Sequence, residues 1–97
     1  MALQYTTVRP CRTKSGYEAI LEDPLELDLD TVEGKLQQRG CQTLNAGVLL
    51  VITLATPGLP EVHLYPSGRL LIKTDQAPLA LKAANLLAAD LDLATST

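Results

Sequence analysis

Few side chains in these 97 residues are of a kind that does chemistry: one histidine, two cysteines and a short alternating run of carboxylates. His63 sits in "EVHLY", and a general base there would need a nucleophile or an orienting carboxylate at a recognised spacing. None is present, and Thr53 and Ser67 lack activating neighbours. The imidazole therefore reads as a surface group rather than a general base. Glu26, Asp28 and Asp30 alternate, so in an extended chain they would offer hard oxygen donors to a divalent cation from one side. The calcium-loop pattern fails, however, for want of its glycine and terminal glutamate. Those carboxylates read instead as solvation and as favourable charge at a helix N-terminus. Cys11 and Cys41 stand far apart, without the close pairing of metal or redox motifs, and no glycine-rich phosphate loop occurs. The expectation is a non-enzyme with no catalytic residue, metal ligand or cofactor.

The elements that would position such residues follow from periodicity and breakers. "LQYTTV" (3–8) and "YEAILE" (17–22) read as strands separated by the turn signal "TKSG", and Asp23-Pro24 ends the second. "LELDLDTVEGKLQQRG" changes from alternation to helical spacing. It predicts a helix over 30–39 with Asp30 and Glu33 as a capping box, Val32 and Leu36 buried and Gly40 as the C-terminal cap. "GVLLVITL" (47–54) is the strongest strand, β-branched and apolar, and "ATPGLP" stops it. "EVHLY" and "RLLIKT" then form a hairpin about Pro66-Ser67-Gly68. The last helix, 77–91, is rich in Ala and Leu, with Pro78 in its first turn, Asp75 as cap and an apolar stripe of Leu79, Ala83, Leu86 and Leu87. Residues 92–97 read as a frayed tail.

Composition sets the class. Hydrophobic residues are 46% and charged ones 20%, a globular balance, and the chain fits one domain with a single modest core. Phe and Trp are absent, so that core must be aliphatic. The start "MALQYTTVRP" lacks the basic lead and apolar run of a signal peptide, and no run approaches membrane-spanning length. A cytoplasmic location is expected. Net charge is −3, divided between a basic stretch (1–15, +3) and an acidic one (16–33, −7). Generic attraction to phosphate backbones is disfavoured, because it comes from Lys and Arg displacing counterions.

Alternate residues of a strand point to opposite faces. One face collects Val48, Leu50, Ile52, Leu54, Val62, Leu64, Leu70 and Ile72, all aliphatic, and the two helices are its natural cover. The other collects Gly47, Leu49, Val51, Thr53, Glu61, His63, Tyr65, Arg69, Leu71 and Lys73. That mixture of apolar and polar groups has no further helix to hide it. It is the candidate binding surface.

"LDLDTVEGKLQQRG", then "NAGVLLVITLATPGLPEVHLYPSGRLLIKT", then an Ala-rich terminal helix resembles one repeat of a TATA-binding protein across residues 17–91. The resemblance implies an α+β fold, a curved antiparallel sheet with two helices on one side, and a concave face formed by Leu49, Val51, Leu71 and Lys73. In that family two repeats form a saddle whose phenylalanines wedge into the DNA minor groove. The matching positions here are Tyr65 and, roughly, Asn45. Residues 1–16 have no counterpart and read as an extension.

Two functions use this one face. The first is a non-catalytic protein-interaction module, its apolar patch of Leu49, Val51, Tyr65 and Leu71 covered by a partner protein or a second copy of the chain. The second is nucleic-acid binding by a dimer that rebuilds the saddle, with Arg69, Lys73, Arg9, Arg12 and Lys14 on phosphate and Tyr65 stacking. The acidic balance favours the first.

Overall fold

A computed structural model describes residues 7–10, 16–21 and 26–95. Its elements are β1 (Thr7–Pro10), β2 (Tyr17–Ile20), α1 (Leu29–Gln38), β3 (Gln42–Asn45), β4 (Leu50–Thr53), β5 (Val62–Leu64), β6 (Leu70–Ile72) and α2 (Ala77–Thr95). The fold is α+β. All six strands join one open sheet in the order β1-β2-β6-β5-β4-β3, every pairing antiparallel.

Register explains the core. Ala19, Leu70, Leu64 and Leu50 are paired in one row, and Ile72, Val62 and Ile52 in the next, so all seven project to the same side. They are fully buried and share one cluster with Leu29, Val32 and Leu36 of α1 and Ala80, Ala83, Ala84 and Leu87 of α2. Both helices therefore cover that side. The small residues of α2 let its backbone approach the sheet closely, which suits a core without large aromatics.

Local chemistry sets the ends of α1. Asp28 is the N-cap, its carboxylate accepting from the Asp30 N–H at 3.2 Å and from the Thr31 hydroxyl at 2.9 Å. The expected capping box on Asp30 and Glu33 is thus displaced, because Asp28 reaches the free N–H groups first and the helix begins at Leu29. Asp30 instead accepts from Asn45 Nδ2 at 2.7 Å, and Glu33 accepts from the Thr43 hydroxyl at 2.8 Å. At the other end the Cys41 N–H donates to the Leu36 carbonyl and the Gly40 N–H to the Gln37 carbonyl, with Gly40 at φ +88°. This is a Schellman closure, and a Cβ at position 40 would oppose its left-handed backbone.

Other expectations are also corrected. The 47–54 strand starts only at Leu50, because Ala46 donates to the Leu49 carbonyl across a tight turn and Asn45 Oδ1 accepts the Gly47 N–H. Val48 lies in that turn, 72% exposed, and is not a core residue. The turn also makes β3, a polar strand that periodicity does not reveal. Leu86 leaves the buried stripe of α2, where Ala80, Ala83, Ala84 and Leu87 face the sheet. α2 is entered through Thr74, whose hydroxyl accepts the Gln76 N–H, rather than through Asp75, and it continues to Thr95 into the expected tail. Of the proposed 3–8 strand, residues 3–6 lie outside the described residues, and β1 runs on to Pro10.

Candidate functional site

The other side of the sheet, helix-free among the described residues, is built from one row that crosses all six strands: Arg9, Glu18, Leu71, His63, Val51 and Leu44 are successive register partners. By alternation from the paired core residues, Ile20, Arg69, Tyr65 and Leu49 lie on the same side at one end of the row, and Lys73 and Thr53 at the other. Leu49, Val51, Thr53, His63, Tyr65, Arg69, Leu71 and Lys73 are thus brought together on one face. Leu49, Val51, His63, Tyr65, Arg69 and Leu71 are half-buried by their neighbours, whereas Thr53 and Lys73 are exposed.

The β5–β6 hairpin presents Tyr65. Its carbonyl accepts the Gly68 N–H and its own N–H donates to the Arg69 carbonyl, with Gly68 at φ +92°. That is the three-residue loop in which a turn is followed by a left-handed residue, and glycine meets the demand without strain. The Leu27 N–H donates to the Pro66 carbonyl and fastens the loop to the segment that leads into α1. Arg69 then lies over Tyr65, its guanidinium carbon 5.1 Å from the ring centroid, a cation–π arrangement.

Glu18 organises the charge of this face. One carboxylate oxygen accepts from Arg9 Nε at 2.6 Å, and the other from Arg69 Nε at 3.2 Å and Nη2 at 2.9 Å. Hydrogen bonds from Arg9 and then Arg69 hold the Glu18 carboxyl below its ordinary value of 4.5. Its folded value being depressed, Glu18 stabilises the fold above its unfolded value, and that contribution is lost as pH falls through the folded one. The expected result is that the thermal midpoint of the parent falls more steeply than that of Glu18→Gln as pH drops from about 5 towards 2. Equal falls in the two proteins would assign Glu18 no such part.

Compared with protein-family models, with curated proteins and with solved structures, the chain matches none.

Two basic residues expected on phosphate, Arg9 and Arg69, are thus committed to Glu18, while Arg12 and Lys14 lie outside the described residues. Asn45, the second wedge position, pairs with Leu50 and bonds to Asp30, so it projects towards the helix layer. His63 Nε2 lies 3.1 Å from a carboxylate oxygen of Glu61, its near neighbour along the strand. Sequence reasoning missed Glu18, Ile20 and Leu44 on this face, and named Arg9 there only as a contact to phosphate. The alternation of "YEAI" could have placed Glu18 and Ile20 together, but only pairing shows that β2 lies beside β6.

Away from the face, Asp28, Asp30 and Asn45 line an open depression of 320 Å³ with Leu27, Leu29, Gly47 and Pro66. Its carboxylates are engaged in the capping and Asn45 contacts already described, and no three His, Cys, Asp or Glu side chains group for a metal among the described residues. Cys41 is buried, and desolvation pushes its thiol up, disfavouring the thiolate that acts as nucleophile. Nearby Asp90 is also raised by burial, an effect that Arg39, 3.8 Å away, opposes. No helix among the described residues is long and apolar enough to cross a membrane.

Proposed function

We propose that this chain is a small cytoplasmic, non-catalytic interaction module that self-associates and holds a partner protein on the helix-free face of its sheet. The observation that carries this reading is the face itself, where Leu49, Val51, Leu71, Ile20 and Tyr65 lie together with no helix over them among the described residues. A patch that mixes aliphatic groups with a tyrosine and an arginine has the composition enriched in protein interfaces. Tyr65 is its natural anchor, combining a broad apolar ring with a hydroxyl at the edge of a rigid turn. The order strand β2, helix α1, meander β3 to β6 and helix α2 supports treating residues 17–91 as a single TATA-binding-protein-like repeat. The engagement of Arg9 and Arg69 with Glu18 weighs against the nucleic-acid reading, since paired guanidinium groups release fewer counterions.

The test compares the parent protein with Tyr65→Ala, each immobilised and exposed to an extract of its source cells. Loss of a stoichiometric protein partner from the variant is expected, a weakening of about 1–3 kcal/mol, with the thermal midpoint nearly unchanged because Tyr65 lies outside the aliphatic core. Retention of nucleic acid that elutes steeply with rising salt would replace the proposal by its alternative. Unfolding of Tyr65→Ala would make the residue structural and remove it from the site.

A further inference from the structure

The two edges of the sheet are not equivalent. β1 carries Arg9 and Pro10 at one edge, a charge and a residue without an N–H, both of which discourage pairing with a further strand. β3, at the other, has neither. No charged residue occurs between Arg39 and Glu61, so the whole β3–β4 hairpin is uncharged. The two most exposed large hydrophobic residues among those described, Leu44 at 66% and Val48 at 72%, both belong to it.

The ladder gives the free edge a register. Ala46 donates to the Leu49 carbonyl, so Ala46 and Leu49 form a hydrogen-bonded pair and, by alternation, Leu44 and Val51 form the next. Thr43 and Asn45 lie between and turn their backbone N–H and C=O groups away from β4. Their side chains are held by α1 through Glu33, Gln37 and Asp30, leaving the backbone groups to a neighbour.

We infer that a second copy of this chain adds to β3, antiparallel and about a two-fold axis at Leu44, so that the two sheets become one. Thr43 pairs with Asn45 of the second copy and Asn45 with its Thr43, satisfying the outward groups on both chains. Leu44 then meets Leu44 of the second copy as a non-hydrogen-bonded pair, the closer of the two cross-strand spacings. An uncharged strand is suited to meet itself, because the two-fold axis sets Leu44 against its own copy and brings no like charges together on either side of it. The pairing covers Leu44 and extends the row Leu71, His63, Val51, Leu44 directly into its symmetry mate, so that two open faces become one surface. The inference rests on the self-association part of the reading above and leaves Tyr65 free for the partner protein.

Charge at the axis provides the test. Parent, Leu44→Lys, Leu44→Glu and an equimolar mixture of the two variants are examined by sedimentation velocity at roughly tens of micromolar, where a functional dimer should be populated. The parent is expected to sediment as a dimer. Each variant places like charges opposite one another and weakens the dimer at least about tenfold, whereas the mixture pairs Lys with Glu and restores it. The exposure of Leu44 lets both variants fold, which an unchanged thermal midpoint verifies. A monomeric parent, variants that dimerise like the parent, or a mixture that stays monomeric overturns the inference. Tyr65→Ala separates the two proposals: it leaves the dimer mass intact if copies meet at β3. If it disperses the dimer while the Leu44 variants do not, copies meet through their open faces, and the edge inference falls while the face reading stands.

Discussion

Ile52→Ala is expected to lower the unfolding free energy by about 2–5 kcal/mol, the usual consequence of removing a buried branched side chain and leaving a cavity. Ile52 has no exposed surface, lies in the middle of β4 and is paired with Val62 on one side and Thr43 on the other. Its neighbours cannot close over the gap easily, because strand pairing fixes them from below and the two helices are held by the same cluster from above. In a domain whose total stability is about 5–15 kcal/mol, such a loss is a large fraction of the whole. Urea unfolding measures it: the midpoint should fall with the slope unchanged. A loss below about half a kilocalorie would mean that Ile52 does not belong to the core and would reverse the assignment of faces.

Gly16→Ala is expected to be strongly destabilising at a position that carries no side chain at all. Gly16 is buried where the chain enters β2 beside β6, and a Cβ built on it would collide with the Ile72 carbonyl oxygen and lie 3.1 Å from the Ile72 carbonyl carbon. Both atoms are backbone, so no rotamer change relieves the clash. Either the Tyr17–Ile72 pairing opens or β6 shifts, and a cost of about 1–3 kcal/mol is the normal result of such overpacking. Gly34→Ala is the matched control. Nothing lies within 4 Å of its added Cβ, and it sits inside α1, where alanine is favoured over glycine by about 0.8–1 kcal/mol. One methyl group therefore has opposite signs at two glycines of the same protein. Thermal unfolding of both variants checks this, and a neutral Gly16→Ala would show that β2 approaches β6 less closely than the backbone indicates.

Local periodicity was enough for much of this fold. The alternation of "LVIT", "VHL" and "LLI" separated the residues that face the helices from those that do not, because a strand's parity survives whatever it pairs with. Helical spacing located α1 and α2, and the "PSG" turn joined β5 to β6, since caps and turns are decided within a few residues. The candidate face was legible for the same reason: His63, Tyr65, Leu49, Val51 and Leu71 follow from parity alone. What lay beyond local pattern depended on pairing across the chain. β3 has the polar sequence "QTLN" and becomes a strand only through its ladder with β4 and its side-chain bonds to α1. Glu18 meets Arg69 across 51 positions because β2 inserts beside β6, and Arg9 joins them because β1 pairs with β2. The identity of the free edges, one with Arg9 and Pro10 and one without charge, is likewise a property of strand order. Side-chain alternation is written into each segment, whereas strand order is a choice among non-local contacts that only the packed sheet makes.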